Sequence, residues 1–437
     1  MKRRAIFLLG LLILSFHLLI IRFNELEVKA PTGYPVHNLD TGLNYTTIQA
    51  AINANRTLDG HTIFVEEGVY YENVVVNKTV SLIGENRTLC VIDAGGIGLC
   101  VVLVTKNNVN ITGFTIQNSG GGIGLSNSSN GRISGNRIMR NEVGIALENS
   151  SNTMILANHI SNNKYGIYFN LSRENTISAN NISNNTYYGV GFAKSFNNTV
   201  SKNMITNSSG WWALGFGQSS NNTISGNNVT NNFCSVFLDL SSTNKFYNNN
   251  FIENTMRPIT INSINTWNNS YPSSGNYWSD YSGTDSGGDG IGDTPYQIDE
   301  NNTDYHPLMG MFSDFNATPE HNVQTICNST ISDFQFNGTA ISFSVTGKNY
   351  TRGFCRSCIP TALMNNSFRV FVNSTEILPS PEPLPCSNST HNYLYFTYNH
   401  STQEVVVIPE FPSFLILPPF MIATLIAVII YKRKHSM

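Results

Sequence analysis

The sequence predicts an all-β chain: a right-handed parallel β-helix with rungs of about 22 residues, then a small β-sandwich, flanked by terminal membrane segments. Three observations carry that expectation. Apolar residues recur at near-constant spacing between residues 107 and 262, an Asn recurs at a fixed place in every repeat after the first, and both ends carry apolar runs beside basic residues.

Composition narrows the function classes. The 437 residues are 41% hydrophobic and 12% charged, with 25 basic against 28 acidic residues and a net charge of −3. A nucleic-acid partner is excluded by this balance, because phosphate binding needs a basic stripe. Regularly spaced apolar residues also exclude a disordered chain.

Residues 1–30 open with Lys2, Arg3 and Arg4 before an apolar run from Ala5 to Ile21, the pattern of an export signal. Pro31 directly after Val28-Lys29-Ala30 would hinder a signal peptidase, so a cleaved signal and a retained N-terminal anchor both stay open. Residues 31–309 form the solenoid segment. Thr46-Thr47-Ile48-Gln49-Ala50-Ala51-Ile52-Asn53 puts Ile48, Ala51 and Ile52 on one helical face, with Thr46 as N-cap. Such a helix would plug the end of the stack. The segments 62–65, 73–76 and 80–84 then read as strands leading in.

The repeat follows. Ile111, Ile133, Ile155, Ile177, Val200, Ile224 and Phe246 succeed one another at 22, 22, 22, 23, 24 and 22 residues. Five residues after each lies another apolar one: Ile116, Ile138, Ile160, Ile182, Ile205, Val229 and Phe251. Three after each lies Asn136, Asn158, Asn180, Asn203, Asn227 or Asn249, with Phe114 in that place in the first repeat. A third strand alternates at period two, as in Ile167-Tyr168-Phe169 and Val190-Gly191-Phe192. Strands this short stack as rungs about 4.8 Å apart, so equivalent side chains pile into inward files and the Asn residues form a ladder.

Residues 313–408 differ in texture. Alternating Phe334, Phe336, Ile341 and Phe343, then 368–372 and 393–396, suggest an Ig-like β-sandwich acting as a spacer or adhesive module. Residues 409–437 carry Pro409-Glu410-Phe411-Pro412, an apolar run from Ser413 to Tyr431, and Lys432, Arg433 and Lys434. At 1.5 Å per residue that run nearly spans a hydrocarbon core with its basic tail inside. Asn-x-Ser/Thr sequons, among them Asn44, Asn77, Asn127, Asn170, Asn221, Asn337 and Asn388, agree with placement outside the cell. The expectation is a glycoprotein on the extracellular cell surface, tethered to the membrane.

Candidate chemistry is sparse. In an exported chain Cys90, Cys100, Cys327, Cys355, Cys358 and Cys386 are disulfide candidates, and Cys234 reads as a buried free thiol. Tyr165, Tyr188 and Trp212 share a file that parity places inside. Tyr187 and Trp211 have the opposite parity and, with Tyr168 and Phe237, are the candidate residues for stacking on sugar rings; ordinary turn packing is the alternative. Asp285, Asp289 and Asp293 in DSGGDGIGD resemble a calcium loop, although Gly287 and Tyr296 stand where further ligands would be needed. A sugar hydrolase needs two carboxyl groups about 5–9.5 Å apart. Glu148 and Asp239 share a file but lie about 19 Å apart at rung spacing, and no Arg adjoins an acidic cluster in the register.

The helix TIQAAIN, the segment HTIFVEEGVYYENVVVNKTVSLIG, the 22-residue repeats and the closing GNYWSDYSGTDSGGDGIGDTPYQID together resemble the NosD-type, carbohydrate-binding and sugar-hydrolase (CASH) β-helix proteins over about residues 44–309. The resemblance implies the fold; it also brings in copper, since one member is a copper-accessory protein. Copper would want clustered His, Met or Cys, and His159, His306, His321, His391 and His400, like Met139 and Met154, are scattered along the chain. The C-terminal motif resembles the PEF-type sorting signals of archaeal surface proteins; an ordinary membrane-spanning tail is equally open. The function expected is binding of polysaccharide or envelope glycans, the alternatives being a polysaccharide lyase or hydrolase and a copper-accessory protein.

Overall fold

Strand by strand, alternation decides what goes inside. In Arg132–Ser134, Thr176–Ser178 and Thr223–Ser225 the central isoleucine is buried and its neighbours reach toward solvent. A three-residue strand cannot shelter one isoleucine alone, so each depends on the rungs beside it. The computed structural model describes residues 33–365, 367–378 and 382–410. The expected export segment at 1–30 and the apolar run from Ser413 to Tyr431 lie outside the described residues. Among the described residues no helix is long and apolar enough to cross a membrane. Two compact units divide between Asn163 and Lys164.

The first unit opens with Val36–Asn38, paired antiparallel to both Leu43–Tyr45 and Thr62–Val65. Helix α1 (Ile48–Asn53) follows and buries Ile48, Ala51 and Ile52, the face expected of it. Its N-cap is Thr47 rather than Thr46, the side chain accepting from Ala50 N. The Glu72 carboxylate accepts from Ile48 N and Gln49 N, satisfying two more helix-start amides and setting a negative charge at the positive end of the helix. Rungs begin directly after it, earlier than the repeat suggests. Ile63, Leu82, Ile111, Ile133 and Ile155 stand in parallel register in one file, each fully buried. The 62–65 and 81–84 strands are thus rungs of the solenoid itself.

In the second unit Ile177, Val200, Ile224 and Phe246 form one inward file, and Ile182, Ile205, Val229, Phe251 and Trp278 another. Phe169, Phe192 and Phe216 fill a third, with ring centroids 4.9 Å apart at both steps. Stacked Phe246 and Trp267 (4.3 Å) and stacked Trp278 and Tyr296 (4.4 Å) close its C-terminal end. A sandwich of two antiparallel sheets then follows. One comprises Met311–Asn316, Asn322–Cys327, Arg352–Pro360 and His391–Asn399; the other comprises Thr330–Phe336, Ile341–Thr346, Gln403–Pro409, Phe368–Val372 and Thr375–Glu376. Phe343, Val345, Phe368, Val370, Leu394 and Phe396 form their shared core. Pro409, first residue of the expected sorting motif, ends a sandwich strand opposite Phe368, and the motif from Phe411 onward lies outside the described residues.

Polar ladders run beside the apolar files. Asn180, Asn203, Asn227, Asn249 and Asn276 are linked by successive side-chain amide bonds of 3.0, 3.0, 2.9 and 2.9 Å. Each Oδ1 also accepts from the backbone N–H of the preceding Asn, and Nδ2 reaches a backbone carbonyl, as Asn227 does to Val200 O at 2.9 Å. A second file joins Asn175, Asn198, Asn222, Asn244 and Asn265, and a third Asn232 and Asn254. Ser172, Ser195, Ser219, Ser241 and Ser263 make a hydroxyl counterpart. In the first unit Asn136 bonds Asn158, and Asn141 bonds Asn163. These buried amides satisfy turn N–H and C=O groups that the strand pairing leaves over.

The cysteines correct the disulfide expectation. All seven are unbonded thiols. Cys90 lies inside, against Val65 O at 3.7 Å, whereas Cys100 opens a different strand and sits over Gly121 and Gly124. Cys327 stands opposite Cys355 in the sandwich. A hydrogen bond with Cys355 lowers the Cys327 thiol against the opposing effect of burial, while burial raises Cys355. Cys358 faces the Arg356 guanidinium and Cys386. Cys234 is buried and free, as expected.

The ladder of the second unit ends on a carboxylate. Asp304, fully buried, accepts from Asn276 N, Asn276 Nδ2 and Trp278 Nε1 through Oδ2, and from His306 N through Oδ1. Burial raises its carboxyl to about 6, with those hydrogen bonds opposing. Because the folded value lies above the unfolded one, the stability from this group is complete below about pH 4 and lost as pH rises through about 6, a swing of about 3 kcal/mol. Urea unfolding between pH 4 and 7 is expected to show this loss, and Asp304→Asn to flatten it. Asn227→Ala is expected to lower the unfolding free energy by roughly 2–3 kcal/mol, since it takes the acceptor from the Asn203 N–H and from the Asn203 side-chain amide. Equilibrium denaturation checks it.

Candidate functional site

In the second unit the third strand of each rung departs from strict alternation. Gly166 and Ile167 are both buried in Tyr165–Asn170, as are Gly189 and Val190 in Tyr188–Ala193, and Ala213 and Leu214 in Trp212–Gly217. The small residue turns inward against the second-face core: a Cβ on Gly166 would lie 2.4 Å from Gly189 O and 3.0 Å from Ile182 Cγ2. One inward step too many reverses the parity of the residue before it. Tyr165, Tyr188 and Trp212 are therefore half-buried on the outer surface, and the expectation that they line the interior is corrected.

The consequence is a continuous strip of rings. Tyr165 and Tyr188 lie 5.2 Å apart, Tyr188 and Trp212 5.2 Å at 25°, and Trp212 and Phe237 3.8 Å at 7°. Tyr168 stands 6.3 Å from Tyr165. Gly191 and Gly215 keep the strand surface flat beneath the rings; a Cβ on Gly215 would already touch Trp212 Cε3 and Tyr188 Cδ1 at 3.4 Å. One residue earlier in each turn, Tyr187 and Trp211 lie 5.7 Å apart, and Trp211 rises across Trp212 at 74°. Trp211 is 45% exposed, and Phe233, 42% exposed, follows it one rung on. Lys164 Nζ sits over both Tyr165 (5.5 Å) and Tyr187 (5.1 Å). Burial, then the neighbouring Tyr165 and Tyr168, raises the Tyr188 phenol to about 12, so it stays a neutral donor at physiological pH.

All four expected aromatic candidates, Tyr168, Tyr187, Trp211 and Phe237, thus fall in one cluster with the three rings expected inside. Phe237 is covered by Trp212, whereas Trp211 offers an open face set against a pre-ordered row. Such amphipathic rings present flat apolar area at small entropic loss.

The Asp-rich loop behaves differently. Asp285 accepts from Asp289 N (3.0 Å) and Gly290 N (2.8 Å), Asp289 from Ile291 N (2.9 Å), and Asp293 from Ser286 N (2.7 Å). The carboxylates fold the loop on its own amides, and among the described residues no three His, Cys, Asp or Glu side chains converge to hold an ion. One charged pair escaped the sequence register: Arg257 Nε donates to Asp280 Oδ2 at 2.7 Å, with Tyr296 Oη on the same carboxylate.

The family model described as periplasmic copper-binding protein (NosD) matches residues 55–283, more than half of the chain. The chain belongs to the NosD family. A cell surface glycoprotein of Methanothermus fervidus is 37% identical over 92 residues, 21% of this chain and 15% of that protein, so the chain spans under a sixth of its relative. Among solved structures, Dettilon tailspike protein is similar at 12% identity and TM-score 0.37 (79% of this chain, 86% of that one). Alginate lyase from Paenibacillus sp. is similar at 15% and 0.36 (53% and 94%), and pectin methylesterase from carrot at 14% and 0.35 (59% and 90%). For the copper in the NosD description, no three His, Cys, Asp or Glu side chains converge among the described residues, and Met139 and Met154 lie on different faces, Met154 Sδ standing near Arg132 Nη1 at 3.9 Å.

Gly215→Val should push the Tyr188 and Trp212 rings from their seats at a stability loss of about 1 kcal/mol. Near-ultraviolet circular dichroism is expected to lose aromatic intensity; an unchanged spectrum would contradict the ring positions.

Proposed function

We propose that this NosD-family chain is a cell-surface β-helix that binds polysaccharide or envelope glycan on its outer aromatic strip, held to the membrane through its C-terminal apolar run. The observation that carries the proposal is Trp211, open to solvent and set nearly at right angles to a row of rings repeated on successive rungs. Rungs repeat about every 4.8 Å, close to the length of one pyranose, so consecutive sugars of an extended glycan would meet consecutive rings. A sugar's apolar C–H face packs on a ring while its hydroxyls keep their water or the polar Asn and Ser side chains nearby. Surface placement agrees with the glycoprotein relative and with the sequons.

Glycan-array binding by the chain tests this. Trp211→Ala and Tyr187→Ala are expected to weaken binding at least tenfold, in the range of truncated aromatic anchors. Unchanged binding in both would reject the strip as the site. Polysaccharide turnover yielding new reducing ends or unsaturated products would replace binding by catalysis, and stoichiometric Cu(I) retained through dialysis would favour the copper-accessory reading.

A further inference from the structure

We propose that the aromatic strip ends in a second subsite, a pocket that grips one uncharged sugar unit of the same glycan through the Arg257–Asp280 pair; this rests on the glycan-binding reading above. The pocket is open, with a cavity volume of about 280 Å³, and its lining includes Met256, Arg257, Trp278, Asp280 and Tyr296. It continues the strip. Met256 N donates to Phe233 O at 2.8 Å, and Met256 bridges Cys234, the register partner of Trp212. A glycan leaving Trp211 along the solenoid passes Phe233 and meets the pocket next.

The guanidinium is held in place before any ligand arrives. Arg257 lies over the Tyr296 ring at 5.0 Å, Tyr296 over Trp278 at 4.4 Å, and Trp278 over Phe251 at 4.5 Å. Asp280 takes Nε from one side and is itself fixed by Tyr296 Oη at 3.0 Å. Arg257 and Asp280 remain 59% and 46% exposed, so both can still meet a ligand. A rigid donor group beside a rigid acceptor suits a pair of neighbouring hydroxyls, each of which can accept from the guanidinium and donate to the carboxylate.

Charge selects the class of sugar. Arg257 and Asp280 are the charged side chains in the lining and they cancel. A uronate carboxylate would have to compete with Asp280 for the same guanidinium in a pocket of no net charge, whereas a neutral hexose can use the donor and the acceptor together.

Calorimetric titration of the full chain with neutral hexose oligosaccharides and with oligogalacturonates tests the assignment. The parent is expected to bind a neutral series in preference. Arg257→Gln and Asp280→Asn should each weaken it about tenfold, as for lost hydrogen bonds to charged groups, with unchanged melting temperature because both side chains are largely exposed. Variants that bind like the parent while Trp211→Ala is impaired would overturn the pocket and leave the strip standing. A parent that prefers the uronates would overturn the neutral class. Failure of the parent to bind any series would overturn the glycan reading itself.

Discussion

Register between rungs is the constraint on which everything else depends. Each turn of the chain leaves backbone amides that no strand partner can reach, and the Asn and Ser files supply those partners from the rung beside it. The bonds form only when equivalent residues stand directly above one another. Stacking of amides therefore fixes the same alignment that the buried isoleucines favour through packing. The isoleucine files give most of the driving force, since burying a whole apolar side chain stabilises more than the net gain of one hydrogen bond; the amide files make any slipped register expensive. A surface strip of rings is a by-product of that alignment, because an aromatic residue repeated at one place in the rung becomes a row.

For the proposed glycan site, the row has the advantage of lying on a scaffold that cannot easily deform. Rings that stack on each other give up part of their exposed area but hold their neighbours in fixed orientation. Trp211 gains a rigid wall beside it from Trp212 rather than a flexible loop. Arg257 is stiffened in the same way by Tyr296 and Trp278. Binding surfaces built from such pre-ordered groups lose little freedom when a ligand arrives.

Much of this was legible in the residues. The 22-residue spacing locates the inward files, and the Asn three positions after each opening apolar residue locates one ladder. A second ladder was equally visible, since Asn175, Asn198, Asn222 and Asn244 each stand two positions before Ile177, Val200, Ile224 and Phe246. The outward direction of Tyr165, Tyr188 and Trp212 was hidden by a parity count that assumes unbroken alternation. The signal that could have revealed it is the small residue that follows each ring, Gly166, Gly189 or Ala213, which has room to turn inward. Arg257 and Asp280 meet across 23 residues of irregular spacing, outside any repeat. For the thiols, proximity in sequence said nothing about face: Cys90 and Cys100 are ten residues apart but open strands on different sides of one rung.

The outward turn of the aromatic file is the claim on which the functional reading stands. Oxidative footprinting of the four tryptophans, read by mass spectrometry, tests it directly. The structure predicts that Trp211 is modified fastest and Trp212 next, with Trp267 and Trp278, at 0% and 2% exposure, protected until the chain unfolds. Protection of Trp211 and Trp212 equal to that of Trp267 would place the file inside the solenoid and contradict the account.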